Sequence, residues 1–172
     1  YFHRKQTFTD ENGTFFADND ERAIFFARGV LETVKKLRWA PDIIHCHGWI
    51  SHILPIYLKK AYIDDPIFSG SKIVTSLYGD TPSVSFAPEF RELVKFGNIT
   101  DADTELLAEP SGINLAKLAV RYSDGVIIGD GEVPAELTGF CVSEGLPLLQ
   151  YDAASMEDGS YIDAYNSFYD SL

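Results

Sequence analysis

Cysteine, methionine and basic residues are all scarce in this sequence. Two cysteines among 172 residues leave no disulfide framework on which to build a fold. Cys46 and Cys141 each sit in an apolar segment, which fits two buried thiols in a reducing compartment, so the expected location is cytoplasmic. Only 14 Lys and Arg stand against 26 Asp and Glu, giving a net charge of −12. Phosphate contacts need a basic face, so no nucleic-acid partner is expected. No apolar run reaches the roughly 18 residues that a membrane span requires, and no charged-then-apolar leader is seen, so no membrane partner is expected either. Tyr1 is not an initiator Met, and the sequence is expected to be a fragment of a longer protein.

What is present is globular material. The 45% apolar and 23% charged fractions exclude global disorder, and the length suits one domain with a real core. Residues 1–18 read as a polar arm dotted with aromatics and carrying an Asn12-Gly13 turn. Asp18 or Asn19 offers an N-cap, and Ala23, Phe26, Ala27, Val30, Val34 and Leu37 then recur at helical spacing until Pro41. Asp42 to His47 has strand character, and Ile50 to Ala61 repeats the helical pattern. A second strand is expected over 72–76, a loop over 79–88, and a short helix over 89–96. The acidic stretch 97–112 reads as loop. Helix 113–122, strand 126–128, a helix from 133 and a short strand within 146–150 follow. Strands alternating with helices predict an α/β fold, a Rossmann-like parallel sheet with flanking helices.

The last segment, 151–172, is set apart as an acidic aromatic helix or tail following a domain over 1–150. After Arg121 there is no Lys or Arg, while ten acidic residues remain. Tyr161, Tyr165, Phe168 and Leu172 form an aromatic stripe at helical spacing. Such a stripe packs back on its own domain or docks a partner.

Chemistry concentrates at Ile43-Ile44-His45-Cys46-His47-Gly48-Trp49. In open parallel sheets ligands bind at the carboxyl ends of strands, and two-residue periodicity puts His45 and His47 on one face there. Trp49 beside them is a surface on which a sugar ring could stack. His-x-His also suggests a metal, but Cys46 points to the other face and no acidic or histidine trio is close in sequence, so no metal is expected. On spacing alone the plainer reading is a hydrogen-bonded core histidine at 45 and a loop histidine at 47. Asp18-Asn19-Asp20 and Asp101-Ala102-Asp103 fit Asp-x-Asp, yet such triplets arise easily in so acidic a chain.

The run DNDERAIFFARGVLETVKKLRWAPDIIHCHGWISHILPIYLKKAYIDDPIFSGSKIVTS, residues 18–76, resembles the bacterial glycogen/starch synthase family. Those enzymes read DNDERF-FF-RAALE, then PDIIH-x-x-DW before a helix, then a T-x-HN strand end. A weaker likeness returns at SGINLAKLAVRYSDGVIIGDGEVPAEL. The resemblance implies the N-terminal half of a double-Rossmann (GT-B) glycosyltransferase that moves glucose from ADP-glucose to an α-1,4-glucan, with retention and without a metal or other cofactor. It places His45, His47, Trp49 and Lys117 as glucan-binding positions. It also exposes departures. The family's Asp falls at Gly48, its essential His at Leu77 and its Asn at Tyr78, and the Val-Ser-Pro element falls around Gly129-Asp130-Gly131. The glycine-rich Lys-Thr-Gly-Gly loop and the donor-binding domain are absent from these residues. The resemblance therefore implies no catalytic residue here and a chain inactive by itself; the alternative is a non-catalytic glucan-binding or protein-interaction module. A sheet lacking its early strands exposes an edge, so self-association or a missing partner domain is expected.

Overall fold

The computed structural model describes residues 3–172; Tyr1 and Phe2, the start of the expected arm, lie outside the described residues. Four parallel strands stand in the order β1-β2-β3-β4: β1 Ile43–His47, β2 Lys72–Leu77, β3 Gly125–Ile128 and β4 Leu148–Leu149. His45 pairs with Val74, His47 with Ser76, and Ser76 with Ile127. An α/β, Rossmann-like sheet is therefore what the sequence builds.

Helix α1, Asn19–Leu37, buries Ala23, Ala27 and Leu31 and ends where Arg38 turns left-handed at φ 52°. Asp18 occupies its N-cap position without capping through its side chain. Its carboxylate accepts instead from the Arg4 guanidinium at 2.8 and 2.7 Å, which ties the arm to the helix. The helix expected over 50–61 is broken into a 3-10 turn at Trp49–Ser51, the short α2 at Leu54–Ile56, and a wide π turn at Tyr57–Ala61. Pro55 has no N–H to give to the preceding turn, so a regular ladder cannot run through it.

The remaining helices are α3 Phe90–Val94, α4 Gly112–Arg121, α5 Ala135–Glu144, α6 Ala153–Asp158 and α7 Tyr161–Asp170. Ser111 caps α4 by accepting from the Asn114 N–H at 3.1 Å. In the acidic stretch 97–112, Asp103 accepts from Lys60 at 2.8 Å and from Thr100 and Tyr122. The Lys60 contact comes first in holding its carboxyl well below the usual range. This Asp-x-Asp triplet thus fastens a loop to the core.

Right-handed crossovers between strands laid down in sequential order put every crossover helix on one face of the sheet. That face carries Ile73, Leu77, Val126 and Ile128, buried with Leu115, Ala116, Leu118 and Leu137 from α4 and α5. The opposite face, by register and alternation, presents His45, His47, Val74, Ser76, Gly125 and Ile127. Helix α7 covers it. A Cβ on Gly125 would stand 2.9 Å from Phe168 Cζ and 3.0 Å from Leu172 Cδ2, so the absence of a side chain at 125 is what lets the helix seat. The aromatic stripe of the tail thus packs on its own domain.

Candidate functional site

The carboxyl ends of all four strands meet α7 in a polar, aromatic rim. At the end of β1 the imidazoles of His45 and His47 lie 3.8 Å apart between ring centroids, as their shared face requires. His45 is held at both nitrogens: Nδ1 lies 2.6 Å from the Tyr169 hydroxyl and Nε2 2.7 Å from Ser76 Oγ. A neutral ring with one donor and one acceptor suits two hydroxyls. Burial, and then the neighbouring His47, push the His45 pKa down to about 4. His47 is exposed; its Nδ1 is 2.8 Å from the Tyr78 hydroxyl and the two rings stack at 28°.

Tyr78 lies flat over the end of β3. A Cβ on Gly129 would fall 2.2 Å from Tyr78 Cε1, so that glycine makes room for the ring. The loop after β2 is pinned across the strand ends by Asp130, whose carboxylate accepts from the Gly79 N–H at 2.9 Å and the Glu132 N–H at 2.8 Å.

Gly48 takes φ 71° and ψ 158°, a conformation open almost only to glycine. The resemblance puts the family's cleft Asp at this position. Here a carboxylate arrives from another loop: Asp80 Oδ2 accepts from the Trp49 N–H at 3.2 Å and would stand 3.0 Å from a Cβ on Gly48. Burial raises the Asp80 carboxyl above its usual range. Sequence reasoning missed Asp80 because it lies 32 positions from Gly48 in a segment read only as loop.

Two expected positions stand elsewhere. Trp49 is 3% exposed, and its ring packs against Phe8, Phe15 and Phe86 at centroid distances of 4.8, 5.5 and 5.7 Å. It has no open face for a sugar and closes the core beneath the rim. Lys117 Nζ binds the Glu136 carboxylate, joining α4 to α5, and no bond brings it to the histidines. Cys46 and Cys141 are free and buried. Among the described residues no group of His, Cys, Asp and Glu is placed to hold a metal, and no helix is long and apolar enough to cross a membrane.

The buried histidines fix a pH dependence. His52, 1% exposed, is held by burial near pKa 4, like His45. The unfolded chain takes up these protons from about pH 6.5 downward while the folded one does not. Stability is therefore full above pH 6.5 and falls as pH drops towards 4, by roughly 3 kcal/mol for His52. Asp20 and Asp80, both raised by burial, work with the opposite sign near the acid end. Urea unfolding midpoints at pH 7.5 and pH 4.5 are expected to differ by an amount that shrinks in His45→Gln. Equal midpoints would contradict the burial of both rings.

Comparison with known proteins accords with this architecture. Residues 1–146 match the family described as starch synthase catalytic domain. The glycogen synthase of Clostridium perfringens is 30% identical over an alignment covering 100% of this chain and 35% of that protein. That of Chlorobium limicola is 47% identical over 79 residues, 45% of this chain and 16% of its own length. That of Aeromonas salmonicida is 28% identical over 91% of this chain and 32% of the relative. The chain thus spans about a third or less of the relatives it matches. The Rossmann-like sheet, the strand-end histidines and a match that runs through both make this chain a member of the starch synthase catalytic domain family.

Proposed function

We propose that this chain is the acceptor-side portion of a glucosyltransferase of the glycogen/starch synthase type. It holds α-glucan at the carboxyl ends of its strands, and these 172 residues by themselves transfer no glucose from ADP-glucose. The observation that carries the second half is Leu77. The resemblance puts the essential His there, and Leu77 is 0% exposed within the core, packed under α4 and α5. A leucine neither donates nor accepts a hydrogen bond. The Tyr78 and Tyr169 hydroxyls hold His47 and His45 at Nδ1, so neither ring is free to turn as a proton-transfer group. Losing one preorganised donor costs about 2.7–4 kcal/mol in a reacting site. Lys117, tied to Glu136, is not counted among the binding groups. The buried free thiols favour a reducing, cytoplasmic setting.

Labelled ADP-glucose incubated with glycogen and the chain is expected to give no polymer label above the blank. The same chain is expected to be retarded in native gels containing glycogen, less so as His47→Ala. Sustained incorporation of label would contradict the inactive reading, and unaltered mobility would contradict glucan binding.

The expected self-association or partner domain finds support on α1. The outer edge of β1 has no strand partner among the described residues. Leu37 and Trp39, 68% and 62% exposed, continue an apolar surface with Val30 and Thr33. Surfaces of this kind mark contacts between chains or domains. Sedimentation is expected to show a dimer or larger species that Leu37→Glu dissociates. A monomer at the concentrations of the binding assays would contradict self-association.

A further inference from the structure

Beyond the histidine rim, the last segment of the chain builds a cavity of its own. It has a volume of about 280 Å³ and opens between the ends of β3 and β4 and the α6–α7 pair. Gln150, Tyr151, Asp152, Ser155, Tyr161 and Tyr165 line it. All six lie beyond residues 1–146, the span that the family model matches, and within the alignment to the Clostridium perfringens glycogen synthase.

Its walls combine two kinds of surface. Tyr151, 38% exposed, packs its ring beside Gly131, where a Cβ would stand 3.7 Å from Cε1. Tyr161 and Tyr165 meet edge to face at 5.5 Å between centroids. The aromatic row then continues from Tyr165 to Tyr169 at 6.3 Å and to His45 at 6.0 Å, so the cavity adjoins the histidine rim. Between the rings stand an amide, a carboxylate and hydroxyls. Asp152 Oδ1 accepts from the Ala154 N–H and thereby fixes the start of α6 at the cavity wall.

Charge narrows the ligand. No Lys or Arg follows Arg121, and Asp152, Glu157, Asp158 and Asp163 belong to the two helices or their cap. A phosphate or nucleotide would meet unpaired negative charge here. A neutral ligand with hydroxyls at its edge and C–H groups on its face fits both wall chemistries, since aromatic rings take the face and the few polar groups fix orientation.

We propose that this cavity is a binding site for a glucose unit of a neutral glucan, built by the C-terminal α6–α7 pair and continuous with the strand-end rim. This rests on the glucan reading above. It assigns to Tyr151 and Tyr161 the stacking role that the buried Trp49 cannot fill.

The test is calorimetric titration of maltotriose into the chain and into Tyr151→Ala, Tyr161→Ala and His47→Ala, with glucose 1-phosphate as a charged control. Maltotriose is expected to bind the unaltered chain, and each tyrosine variant to bind about tenfold more weakly. Glucose 1-phosphate is expected to bind more weakly than maltotriose. If both tyrosine variants bind as the parent does while His47→Ala loses affinity, the cavity is not the site and the glucan reading survives. If the parent binds no maltotriose, both fall. Stronger binding of glucose 1-phosphate would overturn the neutral-ligand assignment. Should circular dichroism show Tyr161→Ala unfolded, the comparison rests on Tyr151→Ala, whose exposed ring leaves the core intact.

Discussion

Helix α7 seats on the face of the sheet that the crossover helices leave bare. Sequential strand order with right-handed crossovers sends the crossover helices to one side, and a parallel sheet is stable only with both faces covered. Phe168 and Leu172 supply the second cover by closing over Gly125, and Tyr169 fastens the helix to His45. Both side chains are half-buried, so each contributes less than the roughly 1.5–3 kcal/mol of full burial. The ten-residue helix is also joined to the sheet through β4 and α6. The dock also decides the state of the site, because it desolvates His45 and sets a row of tyrosines along the strand ends.

The rim that results departs from the family's pattern at several positions. Leu77 lies in the core, Tyr78 lies across Gly129, and Gly48 has a backbone that disfavours any side chain. Asp80 returns a carboxylate to within 3.0 Å of where a side chain at 48 would begin, so the acidic character of that corner is kept by a different residue. Hydrogen-bonding groups and rings remain abundant along the strand ends. At the end of β2 stands Leu77, buried in the core, where the resemblance puts the family's His.

Much of this was legible in the sequence. The 3.6-residue period announced α1, the alternation of strands and helices announced the parallel sheet, and the two-residue period of His45 and His47 announced their shared face. Each of these is a local pattern. The burial of Trp49 depends on Phe8, Phe15 and Phe86, none of them its neighbour in sequence. Lys117 pairs with Glu136 on the following helix, a partner 19 positions away that no local pattern announces. Asp80 and Asp130 went unnoticed because their value lies in reaching across to backbone N–H groups of other loops. Helix α6 was missed for lack of length, its six residues giving too little periodicity to read. The stripe on α7 was visible, but not which surface would receive it, since that is fixed by a glycine some 40 residues earlier.

On the function proposed above, α7 and the strand ends form one continuous glucan-holding surface. Mapping backbone amide NMR shifts during titration with maltoheptaose tests it most directly. Shifts are expected at His47–Gly48, Tyr78–Asp80, Gly129–Gly131 and Tyr161–Tyr169, with the outer face of α1 unmoved. Shifts gathered on that outer face, or none anywhere, would contradict it.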